Sequence, residues 1–248
     1  MENQSRTKLT TVIAASNIVS ALGFTTDEVF DNVRQGRNGL RLLTDRFDLP
    51  EPFMASEIDG ARLDEAFARL QPPTLSDGAY TRFEQAAIVS AADALRLSGL
   101  DPTWWRIRFI LSTTKGNVHL LDPREAVGHT AEQLYLWHTA DRIARFFGNT
   151  RPTLVVSNAC ISGAAALMDA HREMLSGRID AAVVIGADML SRFVVSGFQS
   201  FKALSTEPCR PFDADRTGLN LGEAAATVVL TCRKANELRP SDVVLTDG

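Results

Sequence analysis

The stretch with the most chemistry in it is Thr153–Gly163, TLVVSNACISG. A short apolar run leads through small residues to Cys160, and a helix is predicted to open beyond it. A cysteine at a helix N-terminus faces unpaired backbone N–H groups and the positive end of the helix dipole. Both favour thiolate over thiol and so activate the nucleophile. The same N–H groups can hold a developing oxyanion. Small neighbours such as Ala159 and Gly163 let a substrate carbonyl approach. Free cysteine is also among the most buried residue types and often behaves as a small hydrophobe, so position alone leaves both roles open.

A thiolate needs a proton partner, and the chain offers His119, His129, His138 and His171. His171 lies eleven residues past Cys160 on the same predicted helix, roughly 16 Å away at 1.5 Å per residue, too far for a base. The other three fall within Lys115–Phe147 and read as surface residues; no spacing nominates any of them. Cys209 and Cys232 complete the cysteines. They lack paired C-x-x-C spacing, so neither a zinc site nor any other metal is expected. A sparse, odd cysteine count also fits a reducing cytoplasm.

Arg210–Ala226, RPFDADRTGLNLGEAAA, concentrates Asp213, Asp215, Arg216, Gly218, Gly222 and Glu223. Asp213, Asp215 and Gly218 fit positions 1, 3 and 6 of a calcium loop. Position 12 falls on Ala224 instead of a glutamate, so that register fails. A tight loop pinned by Arg–Asp pairs is the expectation.

The elements that must position these residues read as alternating strands and helices. Branched apolar runs predict strands at Leu9–Ala15, Ile107–Ser112, Thr153–Ser157, Ala181–Gly186 and Ala224–Thr231, with a sixth at Val243–Thr246. Helices are predicted at Thr26–Gln35, at Tyr80–Leu97 ahead of Gly99, at Ala131–Phe147 ahead of Gly148, and at Ile161–Leu175 ahead of Gly177. Alternation of this kind argues for a mostly parallel sheet covered by helices. Gln71–Gly78 is a loop, and Met189–Leu221 is a long mixed link of the sort that is usually functional or carries small elements of its own. Thr11–Phe24 with Lys8 before it mimics a signal peptide. Asn17 and the scattered serines break the run, and a buried first strand is preferred.

Composition sets the outer bounds. The 248 residues are 45% hydrophobic and 23% charged, ordinary for a globular α/β unit. A net charge of −4 argues against nucleic acid and anionic membrane surfaces as partners.

Four blocks together resemble the β-ketoacyl-acyl carrier protein synthases, the condensing enzymes of the thiolase fold. They are NIVSALG at Asn17–Gly23 with VFDNVRQGRNGL at Val29–Leu40; NACISG at Asn158–Gly163; GAD at Gly186–Asp188 with GFQSFKALS at Gly197–Ser205; and CRPFDADRTGLNLGEAAA at Cys209–Ala226. The resemblance implies an acyltransferase in which Cys160 accepts the acyl group. Ala159 and Phe198 would border the acyl chain, and the Cys160 N–H would form part of the oxyanion hole. It implies no resident cofactor, because phosphopantetheine arrives on an acyl carrier protein. It also implies a homodimer with the Thr153–Ser157 strand at the two-fold axis.

The implied fold is a thiolase-like half: α/β, a five-stranded mixed sheet with helices on its faces, its last strand antiparallel. Residues 1–248 would be the N-terminal condensing-enzyme domain, ending where a C-terminal half should begin. Nothing matches the family's histidine motifs, so that half, or a partner chain, would supply the catalytic histidines and cover an apolar face. Ile161, Ala224, Ala226, Asp188 and STTKG at Ser112–Gly116 depart from the usual pattern and suggest a divergent branch. Two other readings remain: a non-condensing acyl-binding or scaffold subunit, and a thiol hydrolase using His119, His129 or His138 as base.

Overall fold

The computed structural model describes residues 9–73 and 78–246. Its strands are β1 (Leu9–Ser20), β2 (Arg41–Leu43), β3 (Phe53–Ser56), β4 (Ile107–Ser112), β5 (Leu154–Val156), β6 (Ala181–Asp188), β7 (Leu221–Gly222) and β8 (Ala224–Lys234). Its α-helices are α1 (Thr26–Arg34), α2 (Gly60–Arg69), α3 (Arg82–Ser98), α4 (Leu136–Phe146), α5 (Ser162–Leu175) and α6 (Arg192–Ser200). The main sheet has the order β1-β8-β6-β4-β5. β6, β4 and β5 run parallel, and β8 is antiparallel to both of its neighbours. This is the five-stranded mixed sheet expected from the sequence.

Side-chain alternation divides the core into two layers, because successive strand residues point to opposite faces. Phe109, Leu111, Val183 and Ile185 pack against α3 and α4, while Ile110, Ala182 and Val184 pack against Ala166, Ala170 and Met174 of α5. α3 is the central helix. Its alanines 86, 87, 91 and 94 are fully buried and let it lie close on the sheet. Thr81 and Glu84 form a reciprocal capping box at its start, and Gly99 at φ +67° ends it. Ser90, buried mid-helix, is satisfied by Asn17 O (3.1 Å) and Thr227 Oγ1 (2.9 Å).

The structure corrects the sequence in two places. The helix expected over Ala131–Phe147 is broken: a 3-10 turn covers Ala131–Leu134, Tyr135 is extended, and α4 follows. The cause is local. The Gln133 carbonyl, which should accept a helical N–H, is taken by Asn117 Nδ2 (3.0 Å) and Thr139 Oγ1 (3.1 Å). The Met189–Leu221 link holds α6 and ends in β7, which joins β2 and β3 in a small second sheet around Phe53, Ala55, Leu190 and Val195. α2 also went unread. The sixth strand is a short pairing: Ile13 N–H donates to Val243 O and Leu245 N–H to Thr11 O, both at 2.9 Å. Half of the Gln71–Gly78 loop, residues 74–77, lies outside the described residues.

Candidate active site

β4, β5 and β6 point their carboxyl ends the same way, and in open α/β sheets ligands gather outside those ends. β5 delivers the chain to Cys160 there. Residues Ala159–Ile161 form a single 3-10 turn, and α5 begins at Ser162. Asn158, Ala159, Cys160 and Ile161 are all exposed. Ala159 has φ +46°, a left-handed backbone rarely adopted by a residue with a Cβ. Ser162 holds this turn from beneath. Its Oγ accepts the Asn158 N–H and donates to the Ala159 carbonyl, each at 2.7 Å. The Cys160 N–H has no acceptor among the described residues. The turn therefore presents a thiol and a backbone donor side by side at the head of a 14-residue helix. The sequence indicated the cysteine and its helix; the Ser162 lock and the backbone inversion at Ala159 were not read. Phe198 lies on α6, 37% exposed.

His171 is buried on α5, its Nδ1 2.9 Å from Thr11 Oγ1 on β1. His119 and His129 are half-buried, a correction to the surface placement expected for them. Both line an open cavity of about 1260 Å³ together with Arg124, Phe193 and Glu223. Burial, aided by nearby His129, pulls His119 down to about 4. Cys160, Ala159 and Phe198 do not line that cavity. His138, also expected at the surface, is half-buried on α4. Among the described residues no hydrogen bond joins Cys160 to a histidine, so the hydrolase geometry does not form.

The acidic-glycine segment is a pinned loop, as its sequence suggested. Arg210 pairs with Asp213 at 3.6 Å, Asp215 N–H donates to Asp213 Oδ1 at 2.8 Å, and Arg216 reaches Asp213 O at 3.0 Å. Gly218 is required there, since a Cβ would sit 2.8 Å from Ala203 O. Glu223 ties the two sheets together by accepting N–H groups from Ile58 (2.9 Å) and Leu190 (3.2 Å); burial nevertheless pushes its carboxyl up. Cys209 is exposed, and burial raises the Cys232 thiol. Among the described residues no cluster of three or more His, Cys, Asp or Glu side chains is placed to hold a metal, and no helix is long and apolar enough to cross a membrane.

Comparison with known proteins places this geometry. The tetracenomycin polyketide synthase ketoacyl synthase alpha subunit of Streptomyces glaucescens is 32% identical over 248 aligned residues, covering 88% of this chain and 57% of that protein. A β-ketoacyl synthase from Burkholderia phymatum superposes with a TM-score of 0.74 at 25% identity, over 95% of this chain and 62% of that one. A Xenorhabdus doucetiae ketosynthase solved with its chain length factor gives a TM-score of 0.78 at 23% identity, over 97% of this chain and 61% of that one, a likeness of fold. The chain thus spans roughly half the length of the curated relatives it matches. The family model described as β-ketoacyl synthase, N-terminal domain, matches residues 10–236. With that match over a strand, turn and helix built around an exposed cysteine, the chain belongs to the β-ketoacyl synthase family, in the part of it that forms the N-terminal domain.

Proposed function

We propose that this chain performs the acyl-accepting step of a β-ketoacyl-acyl carrier protein synthase. The observation that supports it is the exposed Cys160 on a left-handed turn at the head of α5, with its own N–H unclaimed. The Cys160 thiolate attacks the thioester carbonyl of an acyl group carried on phosphopantetheine. The Cys160 N–H stabilises the tetrahedral oxyanion. The carrier thiolate leaves and takes up a proton, and the acyl group stays on Sγ. Ala159 and Phe198 border the acyl chain. The prosthetic arm comes with the carrier protein, so the chain itself needs no resident cofactor.

The second step, decarboxylation of a malonyl thioester and attack of its carbanion on the Cys160 thioester, yields a 3-oxoacyl product. It needs proton-handling groups that no histidine bonded to Cys160 provides. A C-terminal half, in the same protein or on a partner chain, supplies them in this reading. Solved relatives described as ketosynthases with a chain length factor, and one described as a ketosynthase with its acyl-carrier protein, support a partnered assembly. The working assembly is a cytoplasmic homodimer that receives an acyl carrier protein and acts in polyketide or fatty acid synthesis. The test is intact-mass analysis after incubation with an acyl-carrier thioester. A lasting acyl adduct, absent in Cys160→Ala, is the expected result. Release of free acid without an adduct overturns it in favour of a hydrolase, and no labelling at all leaves a scaffold.

A further inference from the structure

The peptide that joins Ala159 to Cys160 is held at one end by a single residue. It is trans, as is every peptide among the described residues. Its carbonyl and its N–H therefore lie in one plane and point in opposite directions. The carbonyl oxygen, Ala159 O, takes both donors of Ser162: the hydroxyl at 2.7 Å and the backbone N–H. The N–H is that of Cys160, which has no acceptor among the described residues. Pinning the oxygen against Ser162 turns the Cys160 N–H the other way, out of the turn.

The Ser162 hydroxyl is fully committed to this arrangement. Its Oγ accepts the Asn158 N–H at 2.7 Å, and its one proton goes to Ala159 O, so it has no proton or lone pair set aside for the thiol. The residue is 5% exposed, which keeps water from competing for these bonds. Ile161 N–H is spent on Asn158 O at 3.2 Å. The N–H groups of Asn158, Ile161 and Ser162 are thus used inside the turn, and that of Cys160 is left over. Two hydrogen bonds on one carbonyl also polarise its amide and strengthen the N–H as a donor. The arrangement costs Ala159 its ordinary backbone, at φ +46°.

We propose that Ser162 is a positioning residue: by clamping the Ala159 carbonyl it aims the Cys160 N–H at the oxyanion of the bond-forming step, and it acts on acyl transfer without acting on the thiol. This deepens the reading of Cys160 as an acyl acceptor and rests on it; the experiment keeps the two apart.

Two reactions of Cys160 are compared in the full chain by peptide mass spectrometry. Alkylation by iodoacetamide displaces iodide at a saturated carbon and builds no oxyanion. Acylation by p-nitrophenyl octanoate adds the thiolate to a carbonyl, passes through an oxyanion and expels p-nitrophenolate, leaving the acyl group on Sγ. In Ser162→Ala the alkylation rate stays within about threefold of the parent at each pH. The acylation rate falls about tenfold to hundredfold, the scale of a misaimed oxyanion donor. Ser162→Thr, which keeps the hydroxyl, restores most of the acylation. Ser162→Gly repeats the alanine result, and slow alkylation of the half-buried Cys232 reports that each variant is folded. An unchanged ratio of the two rates in the alanine and glycine variants overturns the proposal. Equal loss of both reactions does so too, since Ser162 would then act on the thiol or only on the fold, and so does a threonine variant as impaired as the alanine. An octanoyl thioester on an acyl carrier protein is run in parallel. If the parent takes the ester but not the carrier thioester, the carrier-dependent reading of Cys160 fails while the ratio still decides the role of Ser162. A parent that is alkylated at Cys160 but takes neither acyl donor overturns both.

Discussion

Arg142→Met removes the cation from the most deeply buried ion pair of the molecule's described part. Arg142 Nε lies 3.1 Å from Glu84 Oε1, with side chains 1% and 0% exposed. The same guanidinium donates to Gly78 O (3.0 Å) and Ala79 O (3.1 Å), while Glu84 also accepts from Thr81 N–H at 2.9 Å. Taking one partner from such a pair costs about 3–5 kcal/mol, because the other charge stays buried. At about 2–4 °C per kcal/mol for a chain of this size, the melting midpoint should fall by about 6–20 °C. The loss should also depend on pH. Burial already pushes the Glu84 carboxyl up in the parent, and Arg142 and Thr81 N–H oppose it. Without Arg142 the folded-state pKa rises further above the unfolded one. That group then favours folding below its unfolded pKa and loses the contribution as pH rises through the folded value. Urea melts should show a smaller deficit near pH 5 than near pH 8. A loss under about 1 kcal/mol, or a deficit that grows toward acid, refutes the reasoning. Glu84→Met combined with Arg142→Met should recover part of the loss, since the Glu84 carboxylate is no longer left buried without its cation.

Two further outcomes follow from the described geometry. His119, held at about 4 by burial and His129, favours folding as a neutral imidazole. That contribution is complete above about pH 6.5 and is lost as pH falls toward 4, up to about 3 kcal/mol, so the parent-minus-His119→Asn stability difference should decline across that window in urea melts. At the candidate nucleophile, Ala159→Gly should leave the midpoint nearly unchanged because glycine accepts φ +46° freely. Ala159→Val should cost about 1–2 kcal/mol in thermal melts, since a β-branched residue resists that backbone.

The strands that build the main sheet were legible because each is a run of branched or small apolar residues ending at polar ones, as in Ala181–Asp188. α3 was legible through its periodicity and its stop at Gly99. α2 was not, since its buried residues are only Leu63 and Phe67, four apart in a polar stretch. The second sheet was missed because its strands are two to four residues long and owe their existence to each other. The break before α4 depends on Asn117 reaching Gln133 across sixteen positions, a contact no local pattern encodes. At the site, Cys160 and its helix could be read from residue type and order. The inverted backbone of Ala159 could not, because alanine gives no sign of it.

The outer border of β1 is engaged near both ends and at Ser16. Residues 243–245 occupy Thr11 and Ile13, Thr26 Oγ1 takes Ser16 O at 3.3 Å, and Gly23 exchanges both hydrogen bonds with Ser20. Among the described residues β5, at the opposite border of the main sheet, pairs only with β4. A sheet with one sealed margin has a single direction of growth. Head-to-tail stacking of copies, which would need a free margin at each end, has nowhere to propagate. An edge-to-edge union of two copies through the free border of the main sheet joins β5 to β5, a self-complementary contact that ends at two.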